Sequence, residues 1–160
     1  RSLLVNHHIK WMEGLNMGED IQITPRLCYY SQKVSWIDDV VYHYNMMNET
    51  SYVNSGTNSI KLERNYRESL GSWCVIRNFF SGKPFPQIKE RLENYVCFYA
   101  FQGMLLSAKN GHKLEFKKFK NIFRTVNRYN WYKIGNRNRL IVYLKCNYYV
   151  SRLLSYRHDA

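Results

Sequence analysis

The sequence predicts an α+β chain that is mostly helical, on three observations. Beyond residue 58 the apolar residues recur every three or four positions to the C-terminus, the period of helices buried on one face. Ahead of it, short apolar runs such as Ile9-Lys10-Trp11-Met12 and Val34-Ser35-Trp36-Ile37 read as strands. The charge changes at the same point: residues 1–58 carry four basic and six acidic side chains, residues 59–160 twenty basic and six acidic. Period and charge together predict two units, a mixed segment over 1–58 and a basic helical subdomain over 59–160.

Taken in order, Leu3-Leu4-Val5 is too short to classify. Ile9–Met12 reads as an edge strand running into a loop, Glu13–Gly18. Ile23, Leu27 and Tyr30 fall at helical spacing, so a short helix is expected to begin at Glu19 or Asp20. Acidic side chains there complement the helix dipole and can cap free amides. Pro25 stands early in that helix, and Thr24 is the alternative cap for a helix beginning at Pro25. Val34–Ile37 and Val40–Tyr44 are then two short strands around a turn at Asp38-Asp39. Met46–Asn58 is polar and rich in Asn and Ser, a loop able to act as a flap.

Four helices follow. The first, about Ser59 to Phe80, carries Tyr66, Leu70, Trp73 and Phe80 on one face, with Ile76 or Arg77 between; Gly82-Lys83-Pro84-Phe85-Pro86 stops it. The second has the stripe Ile88, Leu92, Tyr95, Val96, Tyr99, Gly103 and Leu106 and ends at Asn110-Gly111. Phe116, Phe119, Phe123 and Val126 define the third, with Lys117, Lys118, Lys120 and Arg124 opposite. The fourth, about Asn138 to Tyr156, uses Leu140, Tyr143, Leu144, Asn147, Val150 and Leu154. Short connections make this a small bundle or a helical arm packed on the first segment.

Several chemistries are excluded. The cysteines at 28, 74, 97 and 146 form no CxxC pair and have no histidine at ligand spacing, so buried reduced thiols are expected. His7-His8, His43, His112 and His158 make no zinc motif. The longest uncharged run, Tyr95 to Ala108, is fourteen residues, short of the roughly 20 needed to span a bilayer.

The stretch that carries chemistry is Asn16-Met17-Gly18-Glu19-Asp20. Two carboxylates follow a glycine where a loop becomes a helix. They can simply start the helix, or one can face a cleft as a general base while the other orients it. The surrounding text, Glu13 to Asp20, the helix through Tyr30, then Trp36-Ile37-Asp38 and Tyr42-His43-Tyr44, resembles the second half of a family 2 glycosyltransferase catalytic domain. That family carries a loop ending in Glu-Asp, a helix, a strand ending Ile-Asp, and Tyr-x-Tyr. The resemblance covers roughly residues 3–54.

The resemblance implies a C-terminal fragment of a GT-A (nucleotide-diphospho-sugar transferase) domain followed by a four-helix region. The sequence opens at Arg1 directly into a motif that sits late in that family. The parent enzyme would transfer a sugar from a nucleotide-diphosphate donor to an acceptor hydroxyl with inversion. Asp20 would be the base and Glu19 its partner. Trp11, Glu13 and Asn16 would line the acceptor side, although a tryptophan in such a place is more often a core anchor than a ligand platform. His43 would approach the donor diphosphate or be an ordinary strand histidine. The divalent metal, Mg or Mn, would be held mostly by residues ahead of this stretch, and Asp38-Asp39 is a turn, not that site. Asn45 stands where many relatives carry arginine, and the Gln-x-x-Arg-Trp element of processive relatives is missing, so the parent is expected to be non-processive; without the family's nucleotide-binding half, this chain alone is expected to be inactive.

The basic helices admit three partners. An anionic membrane surface, a nucleic acid, or plain solvent would each accept the interleaved Phe116-Lys117-Lys118-Phe119-Lys120. The resemblance favours the membrane over nucleic acid, with a glycan or lipid-linked acceptor, a cytoplasmic location at the inner membrane face, and a homo-oligomer as a further option. The competing class is a non-enzymatic basic helical binding module whose Gly18-Glu19-Asp20 only begins a helix.

Overall fold

The computed structural model describes residues 1–39, 42–43, 58–127 and 144–156. Six helices carry the described fold: α1 Ser2–Asn6, α2 Glu19–Tyr30, α3 Ser59–Phe80, α4 Pro86–Lys109, α5 Lys113–Asn127 and α6 Tyr148–Tyr156. The chain is mostly helical, as the periodicity requires. No strand occurs among the described residues, which corrects two expectations.

Ile9–Met12 belongs to no regular element. Its backbone is satisfied by side chains instead: Met12 N–H donates to Gln22 Oε1 at 2.7 Å, and Lys10 C=O accepts from Arg26 Nη2 at 2.6 Å. Hydrogen bonds spent on a neighbouring helix leave no ladder to form. Val34–Ile37 is irregular and open to solvent, with Trp36 88% exposed. Of Val40–Tyr44 only residues 42 and 43 are described, and neither is in a strand. The loop expected over Met46–Asn58, apart from Asn58 itself, and the stretch 138–143 lie outside the described residues.

Helix α4 is the central element, packing against α3, α5 and α6. Its buried stripe is Leu92, Val96, Ala100, Met104 and Ala108. Small residues recur where α5 lies against it, and the Phe119 ring sits directly over Gly103, in the space a Cβ would take. Phe116, Phe119, Phe123 and Val126 of α5 are all buried here, with Leu70 of α3 and Cys146. A second cluster joins Ile76, Phe80 and Leu92, against which Ile21 of α2 packs. The stripe expected on α4 is thus rotated: Ile88 and Tyr95 are exposed, and the small residues the periodicity passed over face the core.

The ends of these helices follow their sequences. Asn58 caps α3, its side chain accepting from Ile60 N–H and Lys61 N–H at 3.1 Å each. Pro86 opens α4 at its first turn, where a missing N–H costs nothing. At the other end Gly111 takes a left-handed φ of 79°, and His112 N–H reaches back to Ser107 C=O at 2.8 Å, a Schellman closure. The fourth expected helix is interrupted at Cys146-Asn147. Asn147 is a cap, not a stripe residue: its Oδ1 accepts from Tyr149 N–H at 3.1 Å.

Candidate functional site

Helix α2 begins at Glu19, with Gly18 before it at φ 77°. Thr24 is therefore no cap, and Pro25 lies inside the helix. Gly18 cannot be replaced cheaply. Besides its left-handed φ, a Cβ there would stand 3.0 Å from Ser72 Cβ and Oγ.

That close approach belongs to a polar seam between the loop and α3. Gln22, fully buried, donates from Nε2 to Ser72 Oγ at 3.0 Å. The Ser72 hydroxyl donates to Met17 C=O at 2.8 Å. Asn16 N–H donates to Oε2 of buried Glu68 at 3.0 Å. Three buried polar side chains, Gln22, Glu68 and Ser72, thereby fix the loop backbone at Met12, Asn16 and Met17, ahead of Gly18. Buried polar groups need partners, and here the partners are main-chain groups of a loop. Arg26 locks the other side, its Nε donating to Gln22 C=O at 2.5 Å. Burial draws the Arg26 pKa below its ordinary value, against a smaller opposite effect from Tyr30.

The seam leaves the two carboxylates outside. Glu19 and Asp20 are both exposed, side by side on the first turn of α2. Asp20 Oδ1 accepts from Ile21 N–H at 2.8 Å. Glu13, Asn16 and Trp11 are also exposed, Trp11 at 63%, so all five residues singled out around this loop reach solvent. Asn16 contributes its backbone to the seam, not its side chain, in the bond to Glu68. His43 is exposed, and the residues flanking 42–43 are outside the described set.

A second feature was not foreseen. An open groove of about 570 Å³ runs between α2, α3 and the start of α4. Cys28 and Tyr29 line it from α2, Trp73 and Phe80 from α3, Ile88 and Arg91 from α4; neither Glu19 nor Asp20 does. Its size is that of a small-molecule site and its lining is nearly all apolar. Lys83 sits at its edge, its Nζ 4.6 Å above the Tyr29 ring. Cys28 is exposed, contrary to the buried thiol expected; Cys146 is buried, and Cys74 and Cys97 are partly so. Burial raises the thiol pKa of all three, Cys97 to about 11, with Cys146 nearby adding to the effect there.

A second polar cluster ties α3 to the α4–α5 corner. Buried Glu63 accepts from Ser107 Oγ at 2.7 Å and from Asn110 Nδ2 at 2.5 Å, and lies 2.8 Å from His112 Nδ1. Ser107 is fully buried, so its hydroxyl meets no substrate and serves only to satisfy the Glu63 carboxylate. This is a structural clamp.

The divalent metal implied by the glycosyltransferase resemblance finds no ligand set here: among the described residues no three His, Cys, Asp or Glu side chains stand close enough to hold an ion. No helix of the described residues is long and apolar enough to cross a membrane. Comparison with known protein families, with characterised proteins and with solved structures returned no match.

Sequence reasoning missed Gln22, Glu68 and Ser72. One signal was available. Asn65, Glu68, Ser69 and Ser72 recur at helical spacing on α3 and lead into Ile76, a polar stripe continuing an apolar one. Such a stripe marks a face that packs against backbone.

Proposed function

We propose that this chain is the C-terminal portion of an inverting family 2 glycosyltransferase of the GT-A type, with Asp20 as its general base. In this reading the acceptor hydroxyl oxygen attacks the anomeric carbon of a nucleotide-sugar donor. The bond to the diphosphate breaks, the nucleoside diphosphate leaves, the configuration inverts, and the acceptor proton passes to Asp20. Its Oδ1 already accepts from Ile21 N–H, which would orient the carboxylate and turn Oδ2 toward the acceptor. Glu19 would hold an acceptor hydroxyl, and Trp11 would offer a face to the sugar ring.

The observation that carries this reading is the polar seam. Gln22, Glu68 and Ser72 spend their hydrogen bonds on the loop that ends at Gly18, and what that fixes in space is a pair of exposed carboxylates. Such support from behind is what a reacting group requires. A second observation fits a chain that belongs to a larger domain. Val34, Trp36 and Ile37 are 65%, 88% and 66% exposed, an apolar run with nothing over it among the described residues. The apolar groove suits the hydrocarbon part of a lipid-linked acceptor better than a free glycan. The metal would be held by residues of the nucleotide-binding half.

The Asp20–Ile21 bond also favours a second reading, in which the pair only begins α2 and the chain is a basic helical binding module. Turnover by the intact enzyme separates the two. Asp20→Asn should lower transfer at least ~100-fold while donor binding is kept, since a general base contributes about 10²–10⁴. Transfer that survives the substitution removes Asp20 from the role of base.

A further inference from the structure

We propose that the cationic flank of α5, together with Leu114 and Tyr149, is a docking surface for an anionic lipid bilayer. The proposal stands whether or not Asp20 is a base.

Lys113, Lys117, Lys120 and Arg124 stand at i, i+4, i+7 and i+11 of α5. That spacing puts four cations on one flank, along about 16 Å of helix at 1.5 Å per residue. Phe116, Phe119, Phe123 and Val126 are buried in the core, and that face lies about a third of a turn round the helix from the cations. The flank therefore runs along the rim of the core and is held in that orientation: Lys113, Lys117 and Arg124 are exposed, and half-buried Lys120 has its Nζ 5.9 Å from the Phe116 ring. Among the described residues no acid pairs with any of the four. The single acid of α5, Glu115, is engaged with Lys118 at 2.6 Å, and residues 144–156, which pack alongside, contain none.

Cations alone would suit any polyanion. What commits this surface to a bilayer is the apolar material set among them. Leu114 is 74% exposed on the first turn of α5, and Tyr149 is 66% exposed at the start of α6. Lys113 joins the two: its Nζ donates to Tyr149 Oη at 3.0 Å. A leucine gains nothing from a phosphodiester backbone, whereas at a membrane surface it can leave water among the acyl chains while lysines meet the headgroups. The tyrosine, with its ring apolar and its hydroxyl bonded to a lysine, is the side chain that favours the interface. The long lysine stems let the ammonium groups reach headgroup phosphates without moving the helix.

Co-sedimentation of the full chain with vesicles tests this, using phosphatidylcholine alone and phosphatidylcholine mixed with phosphatidylglycerol. Binding should occur only to the mixed vesicles and should weaken as salt is raised. The quadruple variant Lys113→Gln, Lys117→Gln, Lys120→Gln, Arg124→Gln should lose about 100-fold or more in partitioning. The two paired variants, Lys113→Gln with Lys117→Gln and Lys120→Gln with Arg124→Gln, should each lose about tenfold and guard against a quadruple variant that fails to fold. Leu114→Gln should weaken binding several-fold with every charge in place. Equal binding to both vesicles, no binding to either, or variants that bind like the native chain would overturn the proposal. So would binding to a homopolymeric RNA that is tighter than to the mixed vesicles and indifferent to Leu114→Gln, an outcome assigning the flank to nucleic acid.

Discussion

At the scale of single residues, the difference between Asp20 and Gln22 decides what the loop is for. Both lie on the first turn of α2; one is exposed and the other is fully buried. The exposed one was legible in the sequence, because Gly-Glu-Asp before an apolar period names both the start of a helix and a reactive pair. The buried one was not. A glutamine between two isoleucines looks like a surface residue until the loop it bonds is known. The cysteines show the same limit, since apolar context alone put Cys28 inside, whereas it lies exposed beside the groove. A reactivity difference follows. In the folded protein Cys28 should alkylate readily at neutral pH, and Cys97 should resist until the pH approaches 11, because burial raises its pKa from an ordinary 9.0 to about 11. Mass spectrometry of a timed iodoacetamide reaction checks this; equal rates at the two sites would contradict it. The same shift fixes a sign for stability. A raised folded pKa contributes stability that is intact below 9 and is lost as the pH climbs to about 11.

At the scale of elements, both ends of α3 and the end of α4 were predicted close to where they lie, and α5 by its apolar residues, since these recur strongly and Pro, Gly and Asn punctuate the chain. The four apolar residues named for α5 are its buried ones. The face of α4 was harder, because alanine, glycine and serine carry little periodic signal and yet let α5 approach. Gly103→Ala would drive a methyl group into the Phe119 ring, and should destabilise the fold by about 1–3 kcal/mol in a denaturant titration, as overpacked cores do. Unchanged stability would mean that α5 can shift away freely. The strands failed for a different reason. Period-two patterning says that a segment can join a sheet and says nothing of whether a partner is at hand, and Ile9–Met12 gives its backbone to Gln22 and Arg26 instead. The seam between α2 and α3 makes its own prediction. Ser72→Ala should cost about 1–3 kcal/mol, since Gln22 Nε2 and Met17 C=O lose their partner together. It should also lower transfer by the intact enzyme without touching either carboxylate. A variant that unfolds like the native protein would show that the seam is not what holds the loop.

At the scale of the whole molecule, two halves of unlike charge are joined by that seam, and the reading of the chain as part of a glycosyltransferase rests on what the seam presents. The charge contrast was plain in the sequence, as was the change of period at residue 58, where Asn58 caps α3. The groove was not, because its walls come from three helices and its shape depends on where α2 crosses α3. The basic flank of α5 belongs to this scale as well, facing outward from a bundle whose acids are few. The account turns on whether the exposed pair at the start of α2 does chemistry. Single-turnover transfer from prebound nucleotide-sugar, run on the intact enzyme with Asp20→Asn and Glu19→Gln side by side, tests that most directly. The account predicts that Asp20→Asn stops transfer with donor still bound, while Glu19→Gln slows it less. Two variants transferring at the native rate would contradict it and leave the carboxylates as nothing more than the first turn of a helix.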